Sequence, residues 1–401
     1  MRVVIIGAGP GGLMAAEQAA TAGHDVAIFD QRRSPGRKLV LAGRGGLNLT
    51  HSEPLDSFLD RYGSARPYLE PSIGGFTPDD LRTWSDGLGE PTFVGSSGRV
   101  FPASFRAVPL LRAWLRRLDG LGVRFELGQR WSGWSVGTER SALRFVSEMD
   151  GIEHFVECDA CVLALGGSSW PGVGSDGSWV DLLRSRGVTV TSLRAANCGV
   201  RVDWSPVMVE RFAGAPMKNA AVVVDGLAVR GDPVITSFGL EGGPIYAHSQ
   251  RIREQIDADG YAEMKIDLFP DLDIGDVVRR LVERRRTKRS ISTWLDRCGL
   301  SSAGISLLRE VTGNQLPTDP DELGELMKGA MVAVHEMAPI DRAISSAGGV
   351  RWSEVDAELQ LVAIPGTYVV GEMLDWEAPT GGYLLQAVFS TGHRVGSRLA
   401  A

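Results

Sequence analysis

The chain begins MRVVIIGAGPGGLMAAE, and this opening restricts the fold more than any other stretch. Val3 to Ile6 is a short, β-branched apolar run, the pattern of a strand buried on both faces of a parallel sheet. Gly7-x-Gly9-x-x-Gly12 follows at once. Leu13 to Ala22 reads as an alanine-rich helix stopped by Gly23, and Val26 to Phe29 as a second strand ending at Asp30. Strand, glycine turn, helix, strand and acid fit in one βαβ unit of about 30 residues, the context that a lone glycine motif lacks. Gly7 allows the tight turn, Gly9 lets the backbone approach a pyrophosphate, and Gly12 lets the helix pack on the strand. The N–H groups and positive dipole end of the helix favour phosphate, and Pro10 and Gly11 in the turn are candidate cofactor contacts. Asp30 is placed to accept from the ribose hydroxyls of an adenosine.

The rest of the chain bounds what this unit serves. With 401 residues, two or three domains are expected. A net charge of -7 argues against a dedicated nucleic-acid or anionic-membrane binder. Apolar runs stay short of a membrane span, Met1 stands directly before the first strand, and there are four cysteines, so a cytoplasmic protein without a targeting segment is expected. The 50 glycines are not periodic; they gather at motif-like points.

Three such points lie far from the first. After Asp30, Gln31 leads into RRSPGRKLVLAGRGGLNLTH, where Arg32, Arg33, Arg37 and Lys38, next to Leu39, bring cations toward a phosphate end. Gly43, Gly45 and Gly46 would let a loop lie against a flat ring, with Arg44 among them, and Asn48 and Thr50 would meet its polar edge. Ala160 to Leu165 reads as another buried strand closed by Gly166 and Gly167, suited to a second pass beneath the same dinucleotide. Gly172-x-Gly174-x-x-Gly177 follows no strand and has no acid about 20 residues on, so it is not read as a second fingerprint. Near the C-terminus, Tyr368 to Val370 reads as a strand ending at Gly371 and Glu372. Asp375 follows, and Thr380-Gly381-Gly382 opens a helix from Tyr383 to Arg398. That helix start is expected to aim its dipole at negative charge on a reduced flavin, with Gly382 against the ring.

These blocks, together with Gly98 to Ser104 (GRVFPAS), Ala164 to Pro171 (ALGGSSWP) and Asp232 to Ser249, occur in the order that the BaiN-type NAD(P)/FAD-dependent oxidoreductases show, and the chain resembles that bacterial flavoprotein family over nearly its whole length. The family includes enone reductases and an aminoacetone oxidase. The resemblance implies a doubly wound, Rossmann-like α/β FAD-binding domain made of residues 1–195 and 341–401. Residues 196–340 would form an inserted domain, β-rich over about 196–250 and helical over about 270–335. It implies FAD held by Gly7, Gly9, Gly11 and Asp30 at the adenosine-diphosphate half. Ala164, Leu165, Gly166 and Gly167 would lie near the adenosine. Asp375, Gly381, Gly382, Tyr383 and Leu384 would meet the ribityl chain and flavin. Arg37, Lys38, Gly43, Arg44, Gly45 and Asn48 belong to the flavin-side block. The chain departs from the family at three points. Asp30 stands where glutamate is usual, Gly43-Arg44-Gly45-Gly46-Leu47-Asn48 replaces a glycine-rich arginine-cysteine-asparagine block, and Ser237 follows Thr236 where a histidine is usual.

Other features carry structural readings. Cys158-x-x-Cys161 on a strand would face opposite sides, no Cys/His cluster has metal spacing, and His51 reads as a surface histidine. Glu241, Tyr246 and His335 are polar groups of the inserted part that could reach a substrate. Arg279 to Arg289 holds seven basic residues and one acid, read as a solvated helix face. The expected activity is hydride transfer between flavin N5 and a small organic substrate, with NAD(P)H-dependent reduction of an activated C=C in first place. A nicotinamide would visit the flavin face transiently. An O2-using amine oxidase, and an FAD protein that acts on or binds RNA through the Arg279–Arg289 helix, are the alternatives.

Overall fold

The computed structural model describes residues 1–135, 142–285 and 289–399. Its contacts divide the chain into two units, Met1–Arg194 with Ile344–Ala401, and Ala195–Ala343.

The first unit is built on the opening motif. β1 (Arg2–Ile6) runs into α1 (Pro10–Thr21) and then β2 (Asp25–Asp30). The helix starts three residues earlier than its apolar pattern indicates. Pro10 occupies N1, where its fixed φ and missing N–H cost nothing, and Gly9 is the N-cap. α2 (Arg37–Ala42) follows, then a small antiparallel sheet of β3 (Thr50–His51), β4 (Thr92–Val94) and β5 (Arg99–Pro102) in the order β3-β5-β4. β6 (Arg124–Leu127) returns to the main sheet. β7 (Gln129–Trp134), β8 (Leu143–Ser147) and β9 (Glu153–Val156) form a three-stranded antiparallel ribbon. β10 (Ala160–Leu163) and the strand Thr367–Val369 complete a five-stranded parallel sheet, ordered Thr367–Val369, β10, β1, β2, β6. β1 and β10 are buried on both faces, which is why they read as continuous apolar runs. β10 ends at Leu163, so Ala164 and Leu165 have left the strand.

One acid sits deep in this core. Glu17 of α1 is 6% exposed and accepts from the indoles of Trp84 (3.1 Å) and Trp114 (2.6 Å) and from Arg117 (2.9 Å). A buried carboxylate without such donors would cost several kcal/mol. Glu17 therefore fastens α1 to the helices Pro78–Gly87 and Ala107–Gly120.

The second unit has a four-stranded antiparallel sheet ordered Leu227–Gly231, Ala220–Val224, Ala262–Asp267, Ala330–Val334. A second sheet holds Val234–Ile235, Gly239–Glu241, Val200–Arg201 and Glu336–Met337. The helices Ile274–Arg284, Ile291–Arg297, Ser302–Val311 and Pro320–Lys328 lie in sequence between strands of the first sheet. Strand structure is thus not confined to 196–250. Ala330–Val334, within the stretch expected to be helical, pairs antiparallel with Ala262–Asp267, a long-range pairing that local periodicity does not encode.

Candidate dinucleotide cleft

A cleft opens in the first unit where four parallel strands end. Its walls include Ile6 to Gly11 after β1, Phe29 to Gln31 after β2, Ala164 to Gly166 after β10, and Val370 to Glu372 after Thr367–Val369. Open α/β sheets bind ligands at the carboxyl ends of their strands. Counted out to its mouth, open solvent included, the cleft spans about 1380 Å³.

Local chemistry shapes the turn. Gly7 has φ +107, and its N–H donates to the Phe29 carbonyl at 2.8 Å. Asp30 accepts from two backbone N–H groups, Ala8 on Oδ2 and Arg32 on Oδ1, both at 2.7 Å. It therefore braces both loops of the βαβ unit as well as lining the cleft. Burial pushes its carboxyl above the usual range, against the downward pull of those two donors. α1 presents its N-terminus to the cleft with no side-chain cap. A Cβ built on Gly9 would meet nothing within 4 Å, so this edge of the turn faces open space.

The lining also carries charge. Lys38 Nζ donates to Glu372 Oε2 and to Ser169 Oγ, both at 2.7 Å. Glu372 also accepts from the N–H groups of Ser346 (2.8 Å) and Gly167 (3.3 Å). Four segments distant in sequence meet at this one ion pair. Apolar lining comes from Leu39, Trp376, Leu384 and Val388.

Fifteen of the sequence-derived residues line the cleft: Gly7, Gly9, Pro10, Gly11, Asp30, Gln31, Arg37, Lys38, Leu39, Ala164, Leu165, Gly166, Gly371, Glu372 and Leu384. The others stand outside its lining. Arg32 donates to the Pro171 carbonyl at 2.7 Å. Gly167 packs on Ser346, and Gly43 packs on Ala107. Arg44 and Gly45 are exposed. Asn48 Oδ1 and Thr50 Oγ1 are buried with no hydrogen-bond partner. Asp375 accepts from Thr191 Oγ1 at 2.6 Å. Tyr383 donates from its phenol to Glu53 at 2.5 Å, and Arg61 holds the same carboxylate at 2.8 Å. Burial, then the Glu53 bond, pushes Tyr383 well above the ordinary phenol range. Gly382 has φ +102, and a Cβ on it would lie 2.4 Å from the Thr50 backbone, so on that side the glycine packs on β3.

Two contributors escaped the sequence reading. Gln129, Arg130 and Trp131 of β7 form one wall, and Val173, Gly174, Ser175 and Ser178 another. The second lies in the rejected glycine repeat. It has no strand before it, yet Gln31 Nε2 donates to the Gly174 carbonyl at 2.9 Å and draws it in. Ser175 Oγ, Trp131 Nε1 and Gln129 Oε1 are buried without a hydrogen-bond partner. Buried polar atoms are nearly always paired, so three orphans on one cleft fit an absent polar ligand. Together with the uncapped helix, the open space at Gly9 and the Lys38 cation, they fit a dinucleotide.

Other expectations are revised by contacts. Cys158 precedes β10, so the two cysteines do not share a strand; both are free thiols. Burial pushes Cys158 up to about 11 and raises Cys161 as well. His51 is not a plain surface histidine: its ring stacks on Tyr383 at 5.4 Å, and its Nδ1 accepts from the Glu53 N–H at 3.1 Å. In the second unit, burial and then the Glu241 carboxylate push Tyr246 up, while His335 lies against Tyr261. The basic run is largely committed within that unit. Arg279 pairs with Asp276, Arg280 lies over Phe269, Arg284 donates to the Arg297 carbonyl, and Arg285 lies over Trp294. Its residues 286–288 fall outside the described residues.

No helix among the described residues is long and apolar enough to cross a membrane. The HI0933-like protein Rossmann domain family matches residues 1–398. A 3-dehydro-bile acid delta(4,6)-reductase of Clostridium scindens is 26% identical over 100% of this chain and 99% of that protein. A ribosomal RNA dihydrouridine synthase of Escherichia coli is 24% identical over 97% and 95%. Among solved structures, the FrdA subunit of E. coli quinol fumarate reductase superposes with a TM-score of 0.52 at 16% identity, covering 100% of this chain and 70% of FrdA. The chain belongs to the HI0933-like Rossmann-domain family and is a flavin-dependent oxidoreductase.

Proposed function

We propose that the protein is an FAD-dependent reductase of a carbon–carbon double bond conjugated to a carbonyl, with NADH or NADPH as electron donor. The observation that carries this reading is the shared bond type of its full-length relatives. A 3-oxo bile acid with Δ4,6 unsaturation and the C5=C6 bond of uridine are unlike molecules, yet each alkene is conjugated to a carbonyl. FAD, when bound, supplies a hydride from its N5. The chain's part is to hold and orient. The N-terminus of α1 and Gly9 accommodate the pyrophosphate, Asp30 the adenosine ribose, and the Lys38–Glu372 pair the polar chain toward the ring.

The test is anaerobic stopped-flow reduction of the flavin by NADH and NADPH, followed by mixing with a 3-oxo-4-ene steroid, uridine-containing RNA, or O2. Rapid reoxidation by either alkene supports the reading. Reoxidation by O2 alone, with an amine and not a nicotinamide as reductant, overturns it in favour of an amine oxidase.

Two expected outcomes belong here. Asp30→Ala weakens FAD by about 1–3 kcal/mol, the scale of a hydrogen bond to a charged group. It also lowers the melting temperature of the FAD-free protein, because two backbone donors lose their acceptor. Titration calorimetry and apo melting read the two effects separately. Cys158→Ala with Cys161→Ala keeps the rate of flavin reduction, because both thiols are held protonated by burial. Lost turnover with FAD still bound would assign the thiols a redox role.

A further inference from the structure

We propose that the exposed face of the β3-β5-β4 sheet docks unpaired RNA, with bases stacking on Phe93, Phe101 and Phe105 and phosphates meeting Arg99 and Arg106. The proposal rests on the reductase reading with a pyrimidine as the reduced group. In this sheet Phe93 is the cross-strand partner of Phe101, and His51 of Arg99. Arg99 and Phe101 are two apart on β5, so all four share one face. Val100 and Pro102 point the other way and are buried. Phe105, just beyond β5, closes the group. Its ring lies 4.9 Å from Phe101 and 6.3 Å from Phe93, and Phe93 is 5.8 Å from Phe101. Phe93 and Phe105 are each 43% exposed.

Three mutually packed rings on a solvent face cost solubility and mark a contact surface. Charge indicates the kind of contact. In a chain of net charge -7, residues 31–52 and 91–106 contain cations and no carboxylate. Arg44, Arg99 and Arg106 are exposed around the rings. An apolar protein partner would gain little from arginines unopposed by acid. Aromatic rings among cations are what a single strand uses, bases on rings and phosphates on guanidiniums. The face also adjoins the cleft. Leu39 of α2 lines the cleft, and the loop that follows α2 is fastened to the ring group by the Leu47 N–H donating to the Phe105 carbonyl at 3.2 Å.

The test is fluorescence anisotropy of a short labelled oligouridine with the full-length, FAD-loaded protein across a salt series, a readout independent of reduction. Phe93→Ala and Phe101→Ala are each expected to weaken binding about 5-fold or more, the low end of a lost base stack. Arg99→Gln with Arg106→Gln is expected to lower the log–log salt slope by about 1.4, at about 0.7 per phosphate on a single strand. Flavin content and melting temperature confirm folding, and Phe93, at the sheet edge, serves if Phe101→Ala is unstable. No binding at low salt, or binding indifferent to these substitutions, overturns the proposal. Wild-type protein that reduces a steroid enone yet binds no oligouridine overturns the docking face alone. Protein that binds oligouridine through these residues yet reduces neither alkene leaves the docking face standing and overturns the reductase.

Discussion

Gly9→Val yields a folded protein without flavin. Gly9 is the N-cap of α1 at φ -81 and ψ 176, extended backbone that valine adopts without strain. A Cβ there meets no protein atom within 4 Å, so the fold has no objection to it. The branched side chain stands instead in the cleft, over the helix N-terminus where a pyrophosphate would approach. The dissociation constant for FAD is expected to rise at least about 100-fold, or roughly 2.7 kcal/mol. The apo protein should melt as wild-type apo protein does. The comparison must be apo with apo, because bound ligand by itself raises the melting temperature. Gly12→Val is the contrasting control. Its Cβ would fall 2.0 Å from the Gly7 carbonyl oxygen, so that variant loses the fold and not merely the ligand. Reconstitution followed by visible absorbance, with circular-dichroism melting, separates the two. Wild-type FAD affinity in Gly9→Val would reduce the opening glycines to a turn.

Gly382→Val is expected to fail in folding, at a cost of about 4 kcal/mol or more. Two terms add. At φ +102 a β-branched residue is strained, and its Cβ would lie 2.4 Å from the Thr50 carbonyl carbon, backbone that cannot rotate away. Thr50 is fully buried in β3 and paired with Val100, so it has nowhere to go. Expression in the soluble fraction and denaturant titration check this. A folded, flavin-bearing variant with a lowered reduction potential would return Gly382 to the ring and remove it from the β3 contact.

The opening βαβ unit was legible in the residues because each of its signals is local. Apolar runs, glycine spacing and the terminal acid fall within about 30 residues, and the physics of strand, turn and helix acts over that range. The strand read at 160–165, which ends at Leu163, and the helix beginning at Tyr383 were legible for the same reason. What stands opposite each glycine was not. Gly9 and Gly382 read alike as glycines before a helix, yet one faces open cleft and the other a neighbouring strand. The glycine repeat at 172–177 failed as a fingerprint and still became a wall, through a bond from Gln31 more than a hundred residues away. The arginines of 279–285 read as a solvated helix face, and Arg279, Arg284 and Arg285 are exposed, but the groups they reach within their own unit were not legible. Spacing along the chain determined which elements form. Only the register of the parallel sheet, which brings β7, the 173–178 turn and Glu372 to the ends of β1 and β2, decided which side chains meet, because those contacts join residues whose separation in sequence carries no periodicity.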